Sequence, residues 1–369
     1  MTRAPRLLVS GYYGFGNAGD EAILAGLTEG LREQAPEAEL TVLSGNPSAT
    51  EREHGVQAVS RGLGSAFLRG RGSDVLVSGG GGLLQDATSW RSPLYYLTVM
   101  RLARAAGTRV ACVGQGIGPL RRGFVRRLVR NGLSRVEAIA VRDRASQEAL
   151  RQLGVRRPVE VTADLAFLLP RPKAEATASA WAKAGLSEEG RPAAAVALRR
   201  PPGEPKVGLA ASLARPIGEA CERLGLHPVL LPMQPPADGE LAEEVAAALP
   251  MGAAVVRAGL SAREMLALVG GCELVIGMRL HALIFAAICA VPPVAISYDP
   301  KVEALMGELG LSAATSVGAL DEEALGGAIH STWDAREEIG RRVAERGERL
   351  RASARRNLEI VLSLLPERR

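Results

Sequence analysis

With 369 residues, 47% of them hydrophobic and 4% aromatic, the chain is globular and too long for one ordinary domain; it suits two of about 150 to 190 residues. The net charge of +5, with a pI near 9.3, comes almost wholly from arginine spread along the chain, which fits acidic substrates or an anionic membrane surface. The few aromatic residues argue against a stacking platform for nucleic acid and against a lectin-like groove. Cys112, Cys221, Cys272 and Cys289 are far apart in apolar runs and indicate neither a disulfide framework nor a metal knuckle. Nothing reads as a signal peptide or a spanning helix, so the expected location is the cytoplasm.

In chain order, Arg6 to Ser10 predicts a strand running into GYYGFGNAGDE, followed by an amphipathic helix from about Asp20 to Gln34. Gly14, Gly16 and Gly19 satisfy the G-x-G-x-x-G spacing that brings backbone close to a pyrophosphate. A dinucleotide is disfavoured, because the next strand, Glu39 to Leu43, ends in Ser44 and Gly45 with no acid for a ribose. Asp20 and Glu21 also put negative charge where the phosphates would sit. The loop reads as a binding loop for a polar or nucleotide-like ligand, with Tyr12, Tyr13 and Phe15 offering ring faces; a plain turn and helix cap is the alternative. Asp74 to Ser78 then predicts a strand entering four glycines, with Gly80 and Gly81 at their centre, and a run so costly in backbone entropy implies close approach by something else. Further strands are expected at Arg109 to Val113, ending in GQGIGP; at Val136 to Val141, ending in RDRAS; and at Val159 to Thr162, ending at Asp164. Arg142 is either an anion ligand, the reading favoured here, or the partner of Asp143 in a helix-capping ion pair.

Residues 1–169 form the expected first domain, Pro170 to Pro192 a linker with a short helical stretch around Trp181, and 193–369 the second domain. There the same rhythm restarts with a strand from Ala193 to Leu198 that ends in Arg199 and Arg200, and Ser261 with Glu264 predicts a capping box. The most informative window, Glu273 to Lys301, has a strand to Ile276, a break at Gly277, a helix opening at Leu280 with Arg279 and His281 at its mouth, and a second strand from Pro293 to Ser297 that delivers Tyr298, Asp299 and Lys301. In a parallel sheet the carboxyl ends of strands and the amino ends of the following helices share one edge, so these side chains should meet on one rim beside N–H groups that favour anions. A long helix from about Trp333 to Leu365 closes the chain and is expected to pack back on the first half. The fold class expected is α/β, two Rossmann-like parallel-sheet domains facing across a cleft, which resembles the GT-B architecture.

The segments GYYGFGNAGDE, SGGGGLLQD, GQGIGPL, VRDRAS, TADLAF, GMRLHALIFA and ISYDPKV together resemble the polysaccharide pyruvyl transferase family, in particular its bacterial CsaB type. They occur in family order across both halves. The resemblance implies transfer of the enolpyruvyl group of phosphoenolpyruvate onto two hydroxyls of an N-acetylmannosamine unit, giving a 4,6-linked pyruvate ketal and phosphate. It implies a lipid-linked precursor of a cell-wall polysaccharide as acceptor, or a saccharide linked to a nucleotide diphosphate, and a role in S-layer attachment. It also carries over Arg142 and Lys301 as donor-binding cations, His281 as the acid, and Tyr13 with Phe15 as acceptor contacts.

The residues read by themselves suit that chemistry. A donor bearing a phosphate and a carboxylate needs fixed cations, which Arg142, Arg279 and Lys301 supply, with Gly277 beside them. His281 suits a general acid because its free pKa is nearest neutral. The base is left open between Asp299, Asp20 and Glu21, and Gly16, Gly80 and Gly81 join the acceptor side. No cofactor and no metal are expected, nor a nucleic-acid partner. Transient contact with the inner face of an anionic membrane is expected, and homo-oligomerisation stays open. The rival readings are an inverting nucleotide-sugar glycosyltransferase of GT-B architecture, a nicotinamide oxidoreductase, and a non-catalytic membrane or nucleic-acid binder.

Overall fold

The computed structural model describes residues 3–87, 89–187, 192–201 and 208–366; residues 188–191 of the expected linker and 202–207 of the loop after Arg200 lie outside them. The chain divides into two compact units, residues 1–169 with 350–369, and residues 170–349.

In the first unit the elements alternate as β1 (Arg6–Ser10), α1 (Ala18–Gln34), β2 (Glu39–Ser44), α2 (Pro47–His54), β3 (Gln57–Ser60), α3 (Leu63–Gly70) and β4 (Val75–Leu84). There follow α4 (Arg91–Ala105), β5 (Arg109–Ile117), α5 (Gly123–Leu133), β6 (Ala138–Val141), α6 (Arg144–Gln152), β7 (Glu160–Val161) and a 3-10 turn, Leu165–Leu168. The strands form one seven-stranded sheet in the order β3-β2-β1-β4-β5-β6-β7, parallel at every pairing. Leu8, Leu76, Val110 and Cys112 are fully buried, as expected where helices cover both faces of a parallel sheet.

The close approach expected at the glycine run is present, but it is made by the chain itself and not by an acceptor. Gly79 to Gly82 lie within β4 itself, and Gly80 and Gly81 have φ of 53° and 74°, just before the pairing to β5 shifts register between Gly81 and Leu84. A Cβ on Gly80 would sit 2.3 Å from the Ile23 side chain of α1, and one on Gly81 would be 2.9 Å from Asp20 Oδ1. What approaches this backbone is therefore helix α1, and both glycines are buried rather than presented to an acceptor.

The second unit contains α7 (Ala174–Lys183), β8 (Ala193–Ala197), α8 (Leu209–Leu224), β9 (His227–Leu230), α9 (Gly239–Ala248), β10 (Ala254–Val255) and α10 (Ala262–Gly270). It continues through β11 (Leu274–Gly277), α11 (Leu280–Cys289), β12 (Pro293–Ser297), α12 (Pro300–Glu308), β13 (Thr315–Ser316), α13 (Glu322–Asp334) and the start of α14 (Arg336–Ser363). Its sheet has six parallel strands in the order β10-β9-β8-β11-β12-β13. The capping box is present, with Ser261 Oγ accepting from Glu264 N at 3.2 Å and Glu264 Oε2 from Ser261 N at 2.7 Å. The stretch expected as a linker contains α7, which belongs to this unit: Trp181 Nε1 donates to the Leu268 carbonyl at 3.0 Å and Lys183 Nζ reaches Glu264 at 2.7 Å.

The end of α14 belongs to the first unit. The fully buried Asn357 accepts from Gly114 N at 2.9 Å and from the Thr162 hydroxyl at 2.8 Å, and donates to the carbonyls of Ala163 at 3.1 Å and Ala354 at 3.0 Å. Replacing Asn357 by Leu would orphan a buried N–H and a buried carbonyl. The expected loss is on the order of 3 kcal/mol in denaturant unfolding of the full chain, since each such group costs about 1 to 3 kcal/mol. Among the described residues no helix is long and apolar enough to cross a membrane.

Candidate active site

The second unit gathers charged and polar side chains at the carboxyl ends of four neighbouring strands. Arg199 follows β8, Gln234 and Asp238 follow β9, Arg279 and His281 follow β11, and Tyr298, Asp299 and Lys301 follow β12. Each stands there because a buried apolar strand runs out at that edge and the next helix starts. Helix α11 begins at Arg279 without a side-chain cap, the Arg279 carbonyl accepting from Ala282 N at 3.0 Å, and its positive dipole end faces this edge, whereas α12 is capped by Asp299, which accepts from Lys301 N at 3.2 Å. A Cβ on Gly277 would meet Leu283 at 2.9 Å, so this glycine lets α11 close on β11. It is buried and shapes the helix start.

Arg279 is 8% exposed and does not stand as an open cation. Its guanidinium grips Asp238 in a fork, with Nε to Oδ2 at 2.8 Å and Nη2 on Oδ1, and Nη2 also reaches Gln234 Oε1 at 3.3 Å. Lys301 Nζ pairs with Asp299 Oδ2 at 3.2 Å, both half-buried. Arg199 donates through Nη1 to the Tyr298 hydroxyl at 3.2 Å, and among the described residues it is paired with no carboxylate. The Tyr298 ring lies between cations, 5.2 Å from Arg199 Cζ and 5.3 Å from Lys301 Nζ. Burial by itself pushes the Tyr298 phenol up, but Lys301 and Arg199 outweigh it and hold the pKa below its ordinary value. Arg199→Gln is accordingly expected to raise the Tyr298 pKa, measurable by spectrophotometric titration against a Tyr298→Phe blank. Tyr298 was expected on this rim and Arg199 at the end of its strand, but neither was assigned a role in the site from sequence. His281, the second residue of α11, is half-buried on the same edge.

In the first unit the expected site residues divide. Phe15 and Gly16 are exposed, and Phe15 stacks on Tyr12 at 4.4 Å between ring centroids. Arg61, another residue not anticipated, lies 5.0 Å from the Phe15 ring and 4.1 Å from that of Tyr95, whose hydroxyl donates to the Arg61 carbonyl at 2.6 Å. Tyr13 is a correction: it is 1% exposed, its hydroxyl donates to the Gly79 carbonyl at 3.1 Å, and burial first, then Asp20, raises its pKa well above the ordinary value. Its ring is core and offers no face to a ligand. Glu21 is a second correction, since it is buried and engaged at both oxygens, accepting Gly14 N at 2.8 Å and facing His54 Nε2 at 3.1 Å. It ties down the glycine loop and leaves the set of candidate bases. Asp20 is half-buried beside the glycines of β4. Glu21, Glu53 and His54 offer ligand atoms within 4.8 Å of one another, the grouping that could receive a metal ion, although Glu21 already serves the loop.

Arg142 is buried, with Nη1 on Asp164 at 3.2 Å and Nε near Asp143 at 3.4 Å. Burial pulls its pKa down, but the two carboxylates outweigh this and raise it, so the guanidinium stays charged and compensated. Both roles weighed for Arg142 thus meet a fact that sequence did not carry, the second carboxylate at Asp164. A groove of about 690 Å³ lined by Arg171, Glu273, Pro292 and Arg336 also opens in the second unit, but Glu273 and Pro292 precede β11 and β12, so it lies at the amino ends of the strands, away from His281.

A family model described as polysaccharide pyruvyl transferase matches residues 17–300, which includes Arg279, His281 and Asp299 and stops short of Lys301 and of Tyr13 to Gly16. No curated protein matches the sequence. Among solved structures, the chain is similar to S. aureus MnaA in its UDP co-structure (TM-score 0.66, 12% identity, covering 99% of each chain). It is also similar to Anabaena HepE in complex with UDP-glucose (TM-score 0.65, 14% identity, covering 98% of this chain and 100% of that one). A third is the UDP-GlcNAc 2-epimerase of Methanocaldococcus jannaschii (TM-score 0.66, 14% identity, covering 98% and 99%). At these identities the likeness is one of fold, two parallel-sheet α/β domains of the GT-B-like kind.

Proposed function

The chain belongs to the polysaccharide pyruvyl transferase family, and on that footing we propose that it transfers the enolpyruvyl group of phosphoenolpyruvate onto an N-acetylmannosamine residue of a diphosphate-linked cell-wall saccharide, forming a 4,6-pyruvate ketal. The observation that carries the donor side of this reading is the carboxyl edge of the second unit, where Arg199 and Lys301 flank Tyr298 beside the uncapped start of α11. A small trianion suits that combination of fixed cations and the positive end of a helix dipole.

In the proposed reaction His281 gives a proton to the methylene carbon, C2 becomes cationic, and one sugar hydroxyl adds to it, its proton passing to a carboxylate base and from there through solvent back to His281. The bond from C2 to the phosphate oxygen then breaks, phosphate leaves, and the second hydroxyl closes the ketal, its proton passing to phosphate or solvent. Arg199 and Lys301 hold the phosphate and carboxylate, and the Asp238 fork fixes Arg279 toward the same place. Asp299, capped onto α12 and paired with Lys301, remains a candidate base, as does Asp20. Arg142 keeps a donor role only if an incoming anion replaces one of its two carboxylates. No cofactor is invoked. The proposed setting is cell-wall polysaccharide assembly for S-layer attachment, at the inner face of the cell membrane.

The test is incubation with phosphoenolpyruvate and N-acetylmannosamine-bearing saccharides linked through diphosphate to a short prenyl group or to a nucleoside. Phosphate release that needs both substrates, with a ketal in the product, is the expected result. The UDP ligands of the fold relatives give the glycosyltransferase reading its one support. Nucleoside diphosphate release with phosphoenolpyruvate ignored would decide for it. Arg199→Gln should weaken phosphoenolpyruvate binding about 10- to 100-fold, the loss of a charged hydrogen bond worth about 1.5 to 3 kcal/mol. Unchanged affinity by calorimetry would remove Arg199 from the donor site.

A further inference from the structure

Among the described residues, the large hydrophobic side chains that stand exposed are not scattered: besides Phe15 they are Leu63 and Leu68 of α3, Trp90 and Leu94 at the start of α4, and Phe124 and Leu128 of α5. These three helices are neighbours on one face of the first sheet, where their inner residues Ala66, Tyr96, Met100, Val125 and Val129 share one buried cluster. Phe124 is 50% exposed and its ring meets that of Trp90 edge-on at 5.9 Å, so the apolar surface is continuous from α4 to α5. Isolated exposed apolar residues are ordinary, but a contiguous set on adjoining helices marks an interaction surface.

The charge on the same helices is one-sided. From Ala87 to Val136 the sequence contains ten arginines and no aspartate or glutamate, so no acidic side chain of that stretch offsets them. Arg91 and Arg127 are exposed beside Trp90 and Phe124, and on α5 the buried stripe Val125, Val129 and Leu133 leaves Arg126, Arg127 and Arg130 outside with Leu128. A protein partner would need acids as well as apolar groups, and nucleic acid would have no use for four exposed aliphatic side chains. An anionic bilayer surface takes both, with rings and leucines entering the interface and guanidinium groups meeting lipid phosphates. We propose that the α3-α4-α5 face of the first unit is a docking surface for an anionic lipid bilayer.

The position suits the substrate class proposed above, and to that extent rests on it. In a parallel sheet the starts of α3, α4 and α5 lie at the carboxyl edge, the edge that carries the Phe15 loop. Leu63, Trp90, Leu94 and Phe124 all belong to those helix starts, so a saccharide on a lipid diphosphate would meet the loop while its chain stays in the bilayer.

The full chain is to be tested by cosedimentation with vesicles of mixed phosphatidylglycerol and phosphatidylcholine. Wild type should partition onto them, should bind pure phosphatidylcholine far less, and should release as salt rises. Phe124→Ser with Leu128→Ser should lower the partition coefficient about tenfold through lost apolar burial. Arg91→Gln with Arg127→Gln should lower it by a similar factor, and thermal melts of both pairs should match wild type. Vesicle binding needs no turnover, so the result stands or falls separately from pyruvyl transfer. Equal partition of both variant pairs and wild type would overturn the proposal. So would binding to an oligonucleotide that the arginine pair loses and the Phe124 and Leu128 pair keeps while neither changes vesicle binding.

Discussion

Replacing His281 by Gln is expected to lower kcat for pyruvyl transfer by about 10²- to 10⁴-fold, with phosphoenolpyruvate affinity and thermal midpoint close to wild type. Helix α11 reads LHALIFAAIC, and its other side chains are apolar or thiol and almost all buried, because the helix lies inside the second unit between sheet and neighbours. A half-buried imidazole on the second residue of such a helix, at the carboxyl edge and two positions from Arg279, is out of keeping with the apolar side chains that follow it. A proton donor acts in the transition state, so its loss should appear in kcat and kcat/KM together rather than in KM. A core histidine would behave oppositely, with a lowered melting midpoint and modest kinetic change. Turnover within about tenfold of wild type would place the acid elsewhere.

The architecture was legible because its cause is local. Apolar strands a few residues long, each ending in glycine or charge and followed by an amphipathic helix, specify a parallel α/β sheet wherever they recur. The strand and helix through Glu273 to Lys301 fall where that rhythm placed them. What sequence misjudged depends on partners distant along the chain. The glycines of β4 looked like a ligand loop because nothing local announces that Ile23 of α1 presses on them. Tyr13 looked like a ring face because its neighbours Tyr12 and Phe15 are partly or well exposed, whereas the chain turns that one ring inward onto Gly79. Charge was misread in the same way. Arg279 was expected as a donor cation, and Arg142 as an anion ligand or the partner of Asp143, yet each meets a carboxylate far along the chain, Asp238 41 residues away and Asp164 22 residues away. Arg199, whose role needed the knowledge that β8 lies beside β11 and next but one to β12, stood at a strand end unassigned.

The fork between Arg279 and Asp238 carries the largest stability prediction. Asp238 is 2% exposed, accepts both Arg279 contacts, and also takes the Gln234 N–H at 2.9 Å just before α9. Truncation to Ala would leave a buried guanidinium that keeps the 3.3 Å contact to Gln234 Oε1 but loses its carboxylate. Breaking a buried pair from one side costs about 3 to 5 kcal/mol because the remaining charge has neither partner nor water. Asp238→Ala is therefore expected to destabilise the chain by about that amount in denaturant unfolding, while Asp238→Asn, which keeps the shape and one acceptor, should cost less. The double variant Asp238→Leu with Arg279→Met separates structure from chemistry. Replacing both charges by apolar groups is often close to neutral for stability, so this variant should recover most of the loss yet stay inactive if Arg279 contacts the donor. Recovered stability with recovered turnover would make the fork purely structural and leave anion binding to Arg199, Lys301 and the start of α11.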